Sequence, residues 1–247
     1  MRIIDNEFTD VVTPTGPMRT YLFRPRAEGR FPCVAMFPEI FQITHQIRRI
    51  AAFVAGHGFI VAVPEIFHES LPCGRALPYS EEGRAHGRRL MNSKEWDAYD
   101  ADIAALLKML KAHGRGTGQL GAAGFCFGGH LAVRAALSED VMACSAFYPT
   151  LLHSGRPERN ESAETLRRIG EARGELAFFV GTEDPMLPEE GRRQILSSLG
   201  RSGVGYRWHE FRAGHAFTRD GGEDYDPELT RDCLGETVAL FRRALCH

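Results

Sequence analysis

Cys126 stands in the run Leu120-Gly121-Ala122-Ala123-Gly124-Phe125-Cys126-Phe127-Gly128-Gly129-His130-Leu131. An apolar, strand-like stretch leads into Gly-Phe-Cys-Phe-Gly-Gly, and a helix-forming stretch through Leu137 follows. This has the form of the G-x-S-x-G turn that carries a nucleophile between a strand and a helix, with Cys in place of Ser. Small residues on either side let strand and helix approach closely. The turn presents its side chain at the carboxyl edge of a sheet, and the helix start offers free N–H groups and the positive end of its dipole. Such surroundings favour a thiolate, and the N–H of Phe127 would face a developing oxyanion. Two plainer readings stand beside this one. The segment could be an ordinary βα turn with Cys126 as a small buried hydrophobe, or an anion-binding helix start. Against the second, no G-K-[ST] follows, and the first βα turn of the chain lacks G-x-G-x-x-G.

A thiol nucleophile needs a base, and the base needs an acceptor on its other nitrogen. The apolar run Leu176–Val180 ends in Gly181, and Thr182-Glu183-Asp184-Pro185 follows; later, Phe211-Arg212-Ala213-Gly214-His215-Ala216-Phe217 places a His on a small-residue turn just past another strand. The chain order Cys126, Asp184, His215 is the order nucleophile, acid, His of the α/β-hydrolase arrangement. Each member lies just beyond the carboxyl end of a candidate strand, where open α/β sheets place their sites. Plainer roles exist here as well. Asp184 before Pro185 could simply start a turn, the adjacent Glu183 competes for the acid's role, and His215 is one of ten histidines. His209, six residues earlier, falls within a strand and is expected to point to a sheet face.

The elements that would hold these residues are short apolar runs alternating with helical stretches. Candidate strands are Thr20–Phe23, Cys33–Phe37, Phe59–Val63, Leu120–Ala123, Cys144–Tyr148, Leu176–Val180 and Tyr206–Phe211. Several are continuously apolar, as strands covered on both faces are. Candidate helices are Gln46–His57, Asp97–Ala112, Gly129–Leu137, Ser162–Ala172, Glu189–Leu199 and Pro227–Ala244. Ile103, Leu106, Leu107 and Leu110 form one apolar stripe at i, i+3, i+4, i+7, and Asp226-Pro227-Glu228 reads as a cap, a proline at the first helical position and an early acid. The alternation implies a mostly parallel sheet of about seven to eight strands with helices on both faces. Residues 1–247 read as one domain. The Gly-, Pro- and Arg-rich stretch Glu69–Ser93 reads as an excursion over the sheet's carboxyl edge, and Leu151–Asn160 as a second irregular stretch.

Composition narrows the function classes. The 247 residues are 43% hydrophobic and 25% charged, which is globular usage and not that of a disordered chain. With 30 Lys and Arg against 32 Asp and Glu the formal charge is −2, so there is no basic field for nucleic acid or an anionic membrane. The six cysteines lack CxxC spacing, as free thiols of a reducing compartment would. The N-terminus shows no signal-peptide pattern, and no apolar run approaches the ~18–20 residues that span a bilayer. A cytoplasmic protein is expected. A metal site is not: His and Cys show no ligand spacing, and Trp208-His209-Glu210-Phe211 lacks the second His of H-E-x-x-H.

With nucleophile, acid and His in this order, the chain resembles the dienelactone hydrolase family (carboxymethylenebutenolidase-like proteins) of the α/β-hydrolase fold, from about Met18 to the last helix. Four segments carry the resemblance: Phe37-Pro38-Glu39-Ile40-Phe41, Gly124–Gly129, Gly181–Pro188 and Ala213–Phe217. It implies Cys126 as nucleophile, His215 as base and Asp184 as its orienting acid. It also implies Glu39 as a carboxylate that keeps the resting thiol protonated and takes its proton when substrate arrives, with the N–H groups of Ile40 and Phe127 as oxyanion hole. Glu39 could instead be a loop acid capping the helix that begins near Thr44. The family holds its substrate's carboxylate with arginines, to which Arg219 and, more loosely, Arg84 correspond. Two positions depart: a Tyr expected beyond the second arginine falls on Arg88, and a Ser found after the His in some relatives is Ala216. The activity implied is cofactor-free hydrolysis of a small enol lactone or activated ester, as in aromatic degradation, by a monomer or weak homodimer. Two readings of other classes remain: a peroxide-reactive thiol protein, separable by peroxide consumption without ester cleavage, and a non-catalytic ligand binder of hydrolase fold, separable by tight binding of an organic anion without turnover.

Overall fold

The computed structural model describes residues 1–159 and 161–246. Eight strands hydrogen-bond in the order β1-β2-β4-β3-β5-β6-β7-β8. They are β1 (Ile3–Thr13), β2 (Gly16–Pro25), β3 (Phe31–Phe37), β4 (Ile60–Pro64), β5 (Gly116–Phe125), β6 (Val141–Phe147), β7 (Glu175–Gly181) and β8 (Tyr206–Phe211). β1, β2 and β4 pair antiparallel; β3 with β4, β6 with β7 and β7 with β8 pair parallel. The helices are α1 (His45–Gly56), α2 (Glu81–Ser93), α3 (Trp96–Lys111), α4 (Phe127–Ala135), α5 (Glu164–Arg167), α6 (Glu189–Ser202) and α7 (Pro227–Leu245). None is long and apolar enough to cross a membrane.

The chain divides into two compact units, Met1–Gly121 and Ala122–His247. In the first, α1 packs on β2 and β4, and α3 on β1 and β3. The expected stripe of α3 is its buried face: Ile103, Leu106, Leu107 and Leu110. In the second, α4 packs on β6, and α7 on β6 and β7. A ladder of stacked rings crosses this part of the sheet. Phe125 stacks on Phe147 at 4.6 Å, Phe147 on Phe179 at 4.6 Å, and Phe179 on His209 at 4.8 Å. Offset aromatic stacking of this kind adds about 0.5–1.5 kcal/mol per pair beyond area burial. It ties together the carboxyl ends of β5 to β8, from which the candidate site emerges. All six cysteines are free. Asp226 caps α7 by accepting from Leu229 N at 2.8 Å, with proline in the first turn.

Three expectations are corrected. Ile3–Thr13 is a strand: half of it is exposed, and a register shift between Ile4 and Glu7 breaks its alternation. The Glu69–Ser93 excursion ends in α2, whose N-cap Ser80 accepts from Gly83 N at 3.2 Å. Ser162–Ala172 is not one helix. α5 is a single turn, and a 3-10 turn, Ile169–Glu171, follows it; Thr165 and Leu166, buried beside Ile169, are tied down locally, and Gly170 weakens continuation. Leu151–Arg159 is irregular apart from a 3-10 turn at Pro157–Arg159, and the last residue of that expected stretch, Asn160, lies outside the described residues.

Candidate active site

Between β5 and α4 the backbone at Cys126 takes φ 56° and ψ −121°. A non-glycine residue held there costs on the order of 1–3 kcal/mol and persists only where its surroundings impose it. An ordinary βα turn has no need of this strain, whereas a nucleophile turn does. Gly124 shows why the flanks are small: a Cβ there would lie 1.9 Å from the carbonyl oxygen of Gly128. The obstacle is main chain and cannot swing away. Gly124→Ala is therefore expected to lower stability by about 2 kcal/mol or more, measured by urea denaturation, and to slow alkylation of Cys126. The sulfur is nearly enclosed, with the residue 7% exposed, and the hydroxyl of Thr150 lies 3.8 Å from it.

β7 ends in Gly181, where a Cβ would lie 2.1 Å from the carbonyl oxygen of Ala213. That close approach seats the loop after β7 on the loop after β8; Thr182 N and Glu183 N donate to Phe211 O and Ala213 O at 2.7 and 3.0 Å. Asp184 is thereby turned inward and Glu183 outward. Asp184 Oδ2 accepts from His215 Nδ1 at 2.8 Å, and its Oδ1 accepts from Met186 N at 2.7 Å. Glu183 pairs with Arg212 at 2.8 Å on the surface, so the two adjacent acids are distinguished by geometry. His209 lies in the ring ladder, as its strand position led us to expect.

His215 contacts both other residues. Burial opposes its charged form, but the charge of the Cys126 sulfur, hydrogen bonds to Asp184 and Cys126, and the charge of Asp184 together raise it to about 10. While the sulfur is charged, the imidazole keeps its proton through neutral pH. The edge of the ring packs on Tyr148, with centroids 5.1 Å apart, and the Tyr148 hydroxyl bonds Thr218 at 2.5 Å. Ala216, next in sequence, takes φ 62°. An acid–His–thiol relay of this kind can ionise the thiol, attack an acyl carbon and return a proton.

These are the features of one known family. The model of the dienelactone hydrolase family matches residues 18–245. The chain belongs to that family. A Saccharomyces cerevisiae relative, "Putative carboxymethylenebutenolidase", is 32% identical over 98% of this chain and 93% of its own. A carboxymethylenebutenolidase of Pseudomonas sp. (strain P51) is 25% identical over 88% and 87%. A solved structure from Klebsiella pneumoniae, "Putative Dienelactone Hydrolase", superposes with a TM-score of 0.86 at 20% identity, covering 98% of this chain and all of that one; at that identity it bears on the α/β-hydrolase fold alone. The chain is a hydrolase acting on ester bonds, of the dienelactone hydrolase type.

The remaining residues of the family pattern lie as follows. Phe127 is the first residue of α4 and fully buried. Arg219 is half-buried, four residues past His215, its N–H donating to Ala216 O at 2.8 Å. In the first unit, Glu39 is fully buried, and its carbonyl accepts from Gln42 N at 2.9 Å. It does not serve as N-cap: Thr44 holds that position, with its hydroxyl on Tyr79 at 2.7 Å. Ile40 is buried and carries α2, since a Cβ on Gly87 would lie 2.6 Å from Ile40 O. Arg84 and Arg88 sit on exposed faces of α2. Sequence reasoning missed Tyr148 and Thr150. Both follow the carboxyl end of β6, and the strand-end rule that singled out Asp184 and His215 points to them too.

Among the described residues, one group has metal-ligand spacing. His68, Glu69 and Asp102, in the first unit, have donor atoms within 4.8 Å of one another. The buried ammonium of Lys94 bonds Asp102 and reaches Glu69 Oε1 at 2.6 Å and Ile66 O at 3.2 Å. Burial works against the Asp102 charge, yet the bond from His68 and the charge of Lys94 hold its carboxyl below the ordinary range. The cation here is the lysine. Lys94→Met leaves two carboxylates without it and is expected to cost about 3–5 kcal/mol in urea denaturation.

Proposed function

We propose that this hydrolase opens a small enol lactone, or a comparably activated ester, through an acyl-Cys126 intermediate. The observation that carries the reading is the contact of His215 with both Asp184 and Cys126 at a strained nucleophile turn. The Cys126 thiolate attacks the lactone carbonyl, and the N–H of Phe127 at the start of α4 receives the developing negative charge. The ring oxygen leaves as an enolate that relaxes to a ketone, so the leaving group needs little protonation and a soft sulfur nucleophile suffices. The enolate takes its proton at carbon from the protonated His215, directly or through water, which leaves the imidazole neutral. Water then attacks the thioester, His215 accepts its proton with Asp184 holding the imidazole, and the C–S bond breaks to release the product acid and return the Cys126 thiolate.

Glu39 as the group that takes the thiol's proton, Ile40 as the second oxyanion donor, and Arg219 with Arg84 as partners of a substrate carboxylate enter this reading through the family resemblance. A soluble, cofactor-free enzyme of the cytoplasm is its natural setting. The test is a panel containing cis- and trans-dienelactone, saturated lactones and p-nitrophenyl acetate, assayed before and after iodoacetamide treatment. Peptide mapping separates Cys126 from the exposed Cys73 and Cys246. The expected result is a preference for the enol lactones that vanishes as Cys126 is alkylated. Turnover that survives complete modification of Cys126 overturns the proposal.

A further inference from the structure

The Thr150 residue is 2% exposed, and its hydroxyl meets the Cys126 sulfur at 3.8 Å, the one hydrogen-bond partner of that hydroxyl among the described residues. A buried hydroxyl normally pairs with a good acceptor such as a carbonyl, because leaving water without one is costly. A thiol sulfur is a weak partner; a thiolate is a strong, charge-assisted one. The hydroxyl can accept from an S–H and, by rotating, donate to S⁻, so the pair suits both protonation states of the sulfur.

The rest of Thr150 is fixed from several directions. Its N–H donates to Cys126 O at 3.3 Å. Its carbonyl accepts from Nδ1 of His130, in the first turns of α4, at 3.2 Å, while His130 Nε2 accepts from the Thr165 hydroxyl at 2.8 Å. Arg134 in turn donates to Thr165 Oγ1 at 2.9 Å. Burial, with the nearby Arg134 charge, pushes His130 down to about 3. It stays neutral across the working range, so this tautomer and the clamp on Thr150 persist.

We propose that Thr150 is a positioning residue for the nucleophile, its hydroxyl donating to the Cys126 thiolate and holding the sulfur in place for attack. The proposal rests on the reading of Cys126 as nucleophile and adds to it a residue outside the acid–His–thiol set. Val at this position keeps the branched shape and removes the donor; Ser keeps the donor and removes the methyl group; Ala removes both. In Thr150→Val, the second-order rate of Cys126 alkylation by iodoacetamide and kcat with p-nitrophenyl acetate are expected to fall about tenfold, with KM within about twofold. Thr150→Ser is expected to stay near the parent in both, and Thr150→Ala to match Val. Because the valine hydrocarbon replaces a hydroxyl with no other partner among the described residues, thermal stability should not follow the rate loss.

Thr150→Val reacting as fast as the parent, or Thr150→Ser reacting as slowly as Val, overturns the proposal; should the Val protein not fold, the Ser–Ala comparison decides in the same way. A Cys126→Ala control separates the two levels. If it keeps turnover, the nucleophile reading fails; if it is inactive while Thr150→Val behaves as the parent, the role of Thr150 alone fails.

Discussion

Cys126→Ala is expected to lower kcat/KM for enol lactones and p-nitrophenyl acetate by about 10⁴–10⁶-fold, leaving the protein folded. The physical reason is the concentration of covalent chemistry in one atom. On the proposed acyl-cysteine route no acyl-enzyme forms without the sulfur, and a bound ester must await direct attack by water. The loss should not add to that of His215→Ala, because on that route base and nucleophile act as a unit: the double variant is expected to be no slower than Cys126→Ala within about threefold. Stability argues the same way from the other side. The Cys126 side chain sits at a backbone conformation of φ 56° that the fold imposes, so removing its sulfur leaves the turn in place and the enzyme can be inactive yet native. Steady-state kinetics with a thermal melt on the same preparation checks both halves. A single variant within tenfold of the parent would move the chemistry elsewhere.

The site was more legible in the sequence than its supports were. Cys126, Asp184 and His215 could be singled out because each follows an apolar strand, with glycines two residues to either side of Cys126 and Ala213-Gly214 before His215, a pattern local enough to read. The close approaches behind that pattern are main-chain facts: Gly124 against Gly128, and Gly181 against Ala213. They explain why glycine recurs there, but no spacing rule announces them. Thr150 and His130 were invisible for the opposite reason. A threonine after a strand and a histidine inside a helix are ordinary residues until folding brings α4, α5 and the loop after β6 together. The missed elements have physical causes as well. β1 has only two buried residues, Val11 and Thr13, so it lacks the continuous apolar run of the central strands. α2 buries Gly83, Gly87 and Met91; a helix whose packing face is mostly glycine offers few large apolar residues to read, since close backbone approach replaces side-chain burial.

Asp184→Asn is the second large effect expected, a fall in kcat of about 10³–10⁴-fold with KM little changed. The carboxylate oxygen 2.8 Å from Nδ1 of His215 can only accept, so Nδ1 must carry hydrogen and Nε2 is left free to take a proton from the sulfur or from water. An amide can turn its NH₂ toward Nδ1, which moves the hydrogen to Nε2 and removes the base. Glu183→Gln is the matched control: its partner Arg212 is exposed on the surface, and activity should stay within about twofold. The same substitution carries a signature in stability. His215 is raised from 6.5 to about 10, so its proton stabilises the folded state in full below pH 6.5 and progressively less as pH climbs through about 10. Asp184→Asn removes two of the contributions that raise it, its hydrogen bond and its charge. The Tm gap between parent and variant should therefore be widest near pH 6.5 and narrow toward pH 10, while Glu183→Gln shows a flat difference. A gap that widens with rising pH would mean that the proton on His215 is held by something other than Asp184 and the sulfur.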